Sequence, residues 1–136
     1  MHKTHPLTGK TTLRLQDCLN SKVMLPKSEG GLRTLLEVGQ LQANLTLEEA
    51  VSSDDFNFML NYAIHEPIIG FHIPLGFNEK GMASNDLVFI PMDERDVGTG
   101  LIHIAHAKGR VLPVAAAKFL DQILQSVNER FPDETR

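Results

Sequence analysis

The chain has 136 residues, 42% hydrophobic and 22% charged, a balance that excludes a disordered tail and suits one globular domain or two half-size lobes. Its net charge of −4 excludes a basic nucleic-acid or anionic-membrane footprint. No apolar run approaches a bilayer span, the start MHKTHPLTGK lacks a signal-peptide core, and the single cysteine, Cys18, cannot form an internal disulfide, which fits a reducing cytoplasm.

Taken in chain order, residues 13–19, LRLQDCL, read as a short helix or turn feeding a strand over 22–26. Pro26 stops that strand because it offers no amide hydrogen to a ladder. After KSEGG, the spacing of Leu32, Leu35, Leu36 and Gly39 predicts a helix over 31–43, with Asn44 as its terminator. Residues 45–51 fit a second strand, although the glutamates of LTLEEAV suit a helix start as well. The next helix, 53–65, has the sharpest signature: Phe56, Met59, Leu60, Ala63 and Ile64 recur at the spacing of one buried stripe. Ser52 and Asp55 match the Ser-x-x-Asp form of a capping box, and Asp54 and Asp55 complement the positive end of the helix dipole. Pro67 ends the helix. Residues 68–74, IIGFHIP, fit a short strand rich in β-branched and aromatic residues.

Two further strands are expected over 87–92 and 100–107, separated by the acidic turn DERDVG. Gly109 precedes a last helix with Pro113 in its first turn and Ala116, Phe119, Leu120, Ile123, Leu124 and Val127 on one apolar face. Strands alternating with helices indicate an α/β domain with a mainly parallel sheet flanked by helices.

The chemistry-bearing residues form few patterns. His103 and His106 lie three apart on an expected strand, which points them to opposite faces, and no zinc spacing occurs. There is no GxSxG elbow, and LTGKTT lacks the first glycine of a phosphate loop, so it reads as a turn. The two helix starts, KSEGG and SSDD, carry more information. In open α/β sheets ligands gather beyond the carboxyl ends of strands, where helix N-termini present free amides. Plain capping, worth about 1 kcal/mol each, is the ordinary alternative. Asp54 and Asp55 also weigh against an anion sitting directly on that helix end.

The stretch HPLTGKTTLRLQDCLNSKVMLPKSEGGLR resembles the middle of LysR-type transcriptional regulators, through His5, Pro6, Leu7, Leu15, Leu25, Pro26, Leu32 and Arg33. Near the end, AHAKGRVLPVAAAKFLDQIL resembles the family's closing strand and helix, through Gly109, Arg110, Pro113, Ala115, Ala116, Phe119 and Leu120. The resemblance implies a fold similar to type 2 periplasmic binding proteins, in which two α/β lobes clasp a small-molecule effector. Residues 1–92 would hold the second lobe with a crossover remnant, and 93–136 the returning strand and final helix of the first lobe. The DNA-binding domain and most of the first lobe would lie outside this chain, and DNA would be reached only through that absent domain. The family's pocket in this lobe falls, by position, on Ser52, Ser53 and Asp54 at the helix start and on Phe71, His72 and Pro74 in the following strand. Here Pro67-Ile68-Ile69 stands where many members have Gly-x-Gly, a bulkier approach to the site.

The implied function is effector sensing by a cytoplasmic homo-oligomer, with no membrane partner, no cofactor and no catalysis. The alternatives are a stand-alone α/β solute-binding or interaction module, and a small α/β enzyme, for which no nucleophile or acid/base pair stands out. In a chain lacking most of the first lobe, the apolar stripe of the last helix is expected to fold onto its own sheet or to pair with a second copy.

Overall fold

A computed structural model describes residues 1–27, 30–73, 85–98, 100 and 103–130. They belong to two compact units, the larger spanning Met1–Pro74 and Asn78–Leu101, the smaller Leu75–Phe77 and Ile102–Arg136.

In the larger unit, three short strands form a parallel sheet: β1 (Lys22–Leu25), β2 (Glu48–Ser52) and β3 (Ile68–Gly70), in the order β2-β1-β3. Helix α1 (Gly31–Gln42) connects β1 to β2, and α2 (Phe56–His65) connects β2 to β3. Parallel strands need such crossovers, and burial on both faces explains the apolar runs of β1 and β3, while the edge strand β2 stays mostly exposed. Val23, Leu25, Ile69 and Phe71 pack with Leu15, Cys18, Leu36 and Leu47 in one cluster. Met24 and Ile68, one residue out of phase, pack with Met59, Ala63 and Leu87 in another. The period-2 alternation of strand side chains thus sorts consecutive apolar residues into two cores.

Several boundaries differ from the sequence expectation. The strand expected over 45–51 starts later, at Glu48, because Asn44 takes a positive φ of 50° and folds the chain back on α1. Leu45 N–H then donates to the Gln40 carbonyl (3.0 Å) and Leu47 N–H to Gln40 Oε1 (2.7 Å), so 44–47 are held in a turn. Helix α2 starts at Phe56 rather than 53, since Ser53, Asp54 and Asp55 are spent on the turn before it. Its cap is Asp55, not Ser52: the Asp55 carboxylate accepts the Phe58 N–H at 3.0 Å. β3 ends at Gly70, and Pro74 lies outside the described residues.

The strands expected over 87–92 and 100–107 do not form among the described residues. Leu87 makes one antiparallel bridge to His2 and Met92 one parallel bridge to Leu13, while 103–107 are irregular and exposed. The bridge at Leu13 is framed by Leu13 N–H to the Pro91 carbonyl (2.9 Å) and Asp93 N–H to the Leu13 carbonyl (2.8 Å). Beside it Asp96, in the turn expected to be merely acidic, is 5% exposed. Its carboxylate accepts Arg14 Nε (2.8 Å), Arg14 Nη2 (2.6 Å) and the Leu15 N–H (2.7 Å). The Arg14 guanidinium holds that carboxyl below its usual range against the opposing effect of burial. The turn fits against α1 only because position 39 is glycine: an added Cβ would overlap the Asp96 carbonyl and press Leu15 Cδ1 at 2.9 Å.

In the smaller unit, Gly109 has a φ of 77° in the turn that closes Arg110 N–H onto the Ala107 carbonyl (3.2 Å). Helix α3 (Val114–Arg130) follows, its first turn closed by Ala117 N–H on the Pro113 carbonyl at 2.9 Å. Its apolar face keeps substantial exposure, 64% at Phe119 and 44% at Leu124.

Candidate functional site

Because the three strands run parallel, their carboxyl ends lie along one edge of the sheet. Leu25 pairs with Ser52 and Met24 with Gly70, so the chain leaves β1, β2 and β3 together at residues 26, 53 and 71. Two hydrogen bonds tie the first two exits to each other: Ser53 N–H donates to the Leu25 carbonyl (3.1 Å) and Lys27 N–H to Asp54 Oδ1 (3.0 Å). Asp54 therefore braces the edge. Ser53 Oγ accepts the Asp55 N–H at 3.1 Å, an arrangement that leaves its hydroxyl proton free to be donated.

The exit from β3 brings an imidazole to the same place. Phe71 is 6% exposed in the core, and the alternation of side chains turns the next residue, His72, to the α2 side. There its ring lies 5.5 Å from that of Phe56, the first residue of α2, and 5.0 Å from that of Phe89, which meets it edge-on. Its Nδ1 is buried and has no hydrogen-bond partner among the described residues. A buried unpaired nitrogen costs roughly 1–3 kcal/mol, which a ligand group able to pair with it would recover.

Ser52 faces another way. With Lys27 it lines a polar recess of about 380 Å³ whose other walls are Arg33, Thr34, Glu37 and Glu49. Arg33 fills its chemistry internally: Nε donates to Glu37 Oε1 (2.7 Å), and Nη1 donates to Glu49 Oε2 (2.8 Å) and the Pro26 carbonyl (3.1 Å). These contacts stitch α1 to the ends of β1 and β2.

Of the six residues singled out in the sequence, Ser53, Asp54 and His72 converge on the α2 start, Ser52 turns to the α1 side, Phe71 is buried in the core cluster with Leu15 and Leu36, and Pro74 lies outside the described residues. The sequence reading missed Phe56 and Phe89 as the walls around His72. Phe56 was absorbed into the helix stripe, and only its position at the first helical residue marks it as an edge group. The histidines at 103 and 106 are both exposed, and no group of three or more metal-ligating side chains gathers among the described residues. Cys18 is fully buried and its thiol is pushed up to about 11 by that burial, so it is no nucleophile at neutral pH.

A parallel sheet with crossover helices, whose strands all end along one edge, defines an α/β fold of the open-sheet class. Comparison with known families is more specific. The chain belongs to the LysR substrate binding domain family, whose model matches residues 1–128. Its fold is accordingly periplasmic-binding-protein-like, and the domain is the effector-binding part of LysR-type transcription regulators. No curated protein matches the chain. Among the described residues no helix is long and apolar enough to cross a membrane.

Proposed function

We propose that the chain senses a small polar molecule, an acid or an amide, at the carboxyl edge of its sheet, and so controls a DNA-bound oligomer. Ser53 offers a hydroxyl proton. His72 offers Nδ1 as the polar contact, with Phe56 and Phe89 as flanking apolar walls. Asp54 holds the β1 and β2 exits in register, while Ser52 lines the neighbouring polar recess. The observation that carries this reading is the buried, unpaired His72 Nδ1 beside a helix start, in a member of an effector-binding family.

In the same proposal, residues 1–92 act as the second lobe of the effector domain and 93–136 return to the first, with the effector clasped between lobes. The regulator works in the cytoplasm, and a separate domain contacts DNA. Oligomerisation, general to this class, has apolar surface to use in the α3 face. Size-exclusion chromatography with light scattering tests that last point: a species larger than a monomer is expected, and a monomer with a mobile helix would refute it.

Ligand binding is tested by thermal shift against a panel of small carboxylic acids and amides. Binding to the folded form raises its Tm. At least one compound is expected to raise the Tm of the natural chain and not that of His72→Phe, which keeps the ring and removes both nitrogens. Equal shifts in both proteins would reject the role given to His72.

A further inference from the structure

The opposite, amino edge of the sheet holds a second cleft, of about 470 Å³. It lies roughly 13 Å from the effector edge, the length of a four-residue strand. Its walls are the start of β1 at Lys22, the start of β3 at Ile68, the end of α2 at Tyr62 and Glu66, the turn at His5, and Ala50 of β2. Three features distinguish it from a gap between elements.

The first is a pair of opposite charges left unused. Lys22 and Glu66 both line the cleft, yet neither side chain takes part in an ion pair or hydrogen bond among the described residues. Glu66 also sits at the carboxyl end of α2, where it is the C-cap. The helix dipole is negative there, so carboxylate and helix end both call for a cation.

The second is His5, which is 6% exposed. Its Nδ1 accepts the Leu7 N–H at 3.3 Å, and burial lowers its pKa, so the ring is neutral with its proton on Nε2. That N–H has no partner among the described residues and is a donor suited to an anion.

The third is a register shift. Val23 pairs with Glu49 and Met24 with Val51, so Ala50 is an extra residue in β2, a bulge in a parallel pair. Bulges re-aim side chains and are enriched next to sites; here the extra residue forms part of the cleft wall.

We infer that the amino edge is a second binding site, for a small zwitterion of α-amino-acid size, whose carboxylate meets Lys22 and His5 and whose ammonium meets Glu66 at the end of α2. Ile68 and Ala50 bound the space for its side chain. This site is separate from the effector site of the preceding section and stands or falls independently of it.

The test is backbone-amide NMR of the isotope-labelled chain titrated with L-alanine, with acetate and ethylamine as single-charge controls. L-alanine is expected to shift the amides of Ser21, Lys22, Glu66 and Ile68, while neither control does. Lys22→Gln and Glu66→Gln should each weaken the response about tenfold. His5→Asn, which keeps an acceptor for Leu7 N–H but lacks the ring donor, should weaken it too. Ala50→Phe should abolish it by filling the cleft. If Ala50→Phe does not fold, the two exposed charge variants decide. Absence of shifts, equal shifts with acetate or ethylamine, or an unchanged response in both charge variants would overturn the assignment. Shifts confined to residues 53–56 and 72 would count against this site and for the effector edge, so the two readings fail separately.

Discussion

The two edges of one small sheet treat their polar groups in opposite ways. At the carboxyl edge most charges, the Lys27 ammonium excepted, are spent inside the protein: Asp54 on Lys27 N–H, Asp55 on Phe58 N–H, and Arg33 on Glu37, Glu49 and the Pro26 carbonyl. One buried nitrogen, His72 Nδ1, is left over. At the amino edge Lys22 and Glu66 line a cleft, and neither side-chain charge is paired among the described residues. A braced edge presents one specific vacancy in a rigid frame, whereas an open edge presents loosely held charges. The first suits selective recognition and the second suits a small, strongly polar ligand.

If this contrast is right, stability should follow how far each group is saturated. The largest loss is expected away from both edges, at the buried Asp96. Asp96→Asn removes charge from a carboxylate with three donors and should cost about 2–3 kcal/mol in denaturant unfolding. The same carboxyl predicts a pH signature. Its folded pKa lies below its unfolded one, so its contribution is complete above the ordinary carboxylate range, near pH 4, and is lost as pH falls through the folded value. The natural chain should therefore lose stability more steeply below about pH 4 than Asp96→Asn.

Next comes Gly39→Ala. Helix propensity alone favours alanine by about 1 kcal/mol. The overlap of its Cβ with the Asp96 carbonyl, a backbone atom that cannot swing away, should reverse the sign and leave a net loss of about 1–3 kcal/mol. At the carboxyl edge, Asp55→Ala removes the α2 cap and should cost about 1 kcal/mol. The smallest effect belongs to the amino edge: Lys22→Gln and Glu66→Gln should stay within about 0.5 kcal/mol of the natural chain. A loss of 2 kcal/mol at either position would mean that its charge is already paired, and the contrast would collapse.

The sequence carried the helices further than the strands. The i, i+3, i+4 stripes of 56–64 and 116–127 reflect a period that each helix enforces on itself, so α2 and α3 were readable locally. The runs LVFIPM and IHIAHA have strand composition as well, but a strand exists only where a neighbour supplies a ladder. Leu87 and Met92 find a single bridging partner each and residues 103–107 find none. Capping was half legible: SSDD marked a helix start, but which of four capping residues would accept the orphan amide depended on Asp54 being drawn to Lys27 across 27 positions. For the same reason Asp96 stood in the sequence only as part of an acidic turn, since its partner, Arg14, is 82 residues away. At the site, Ser53, Asp54 and His72 could be named from the sequence resemblance, whereas Phe56 and Phe89 needed the packing around the imidazole.

The central claim is that the effector sits against His72 at the carboxyl edge. The most direct measurement is an NMR titration, followed at the His72 ring and at the amides of 53–56, with the compound that gives the largest thermal shift. The account predicts saturable shifts at the His72 ring nitrogens and at Ser53 and Phe56, lost in His72→Phe. Saturable binding that leaves the His72 ring unperturbed would contradict it.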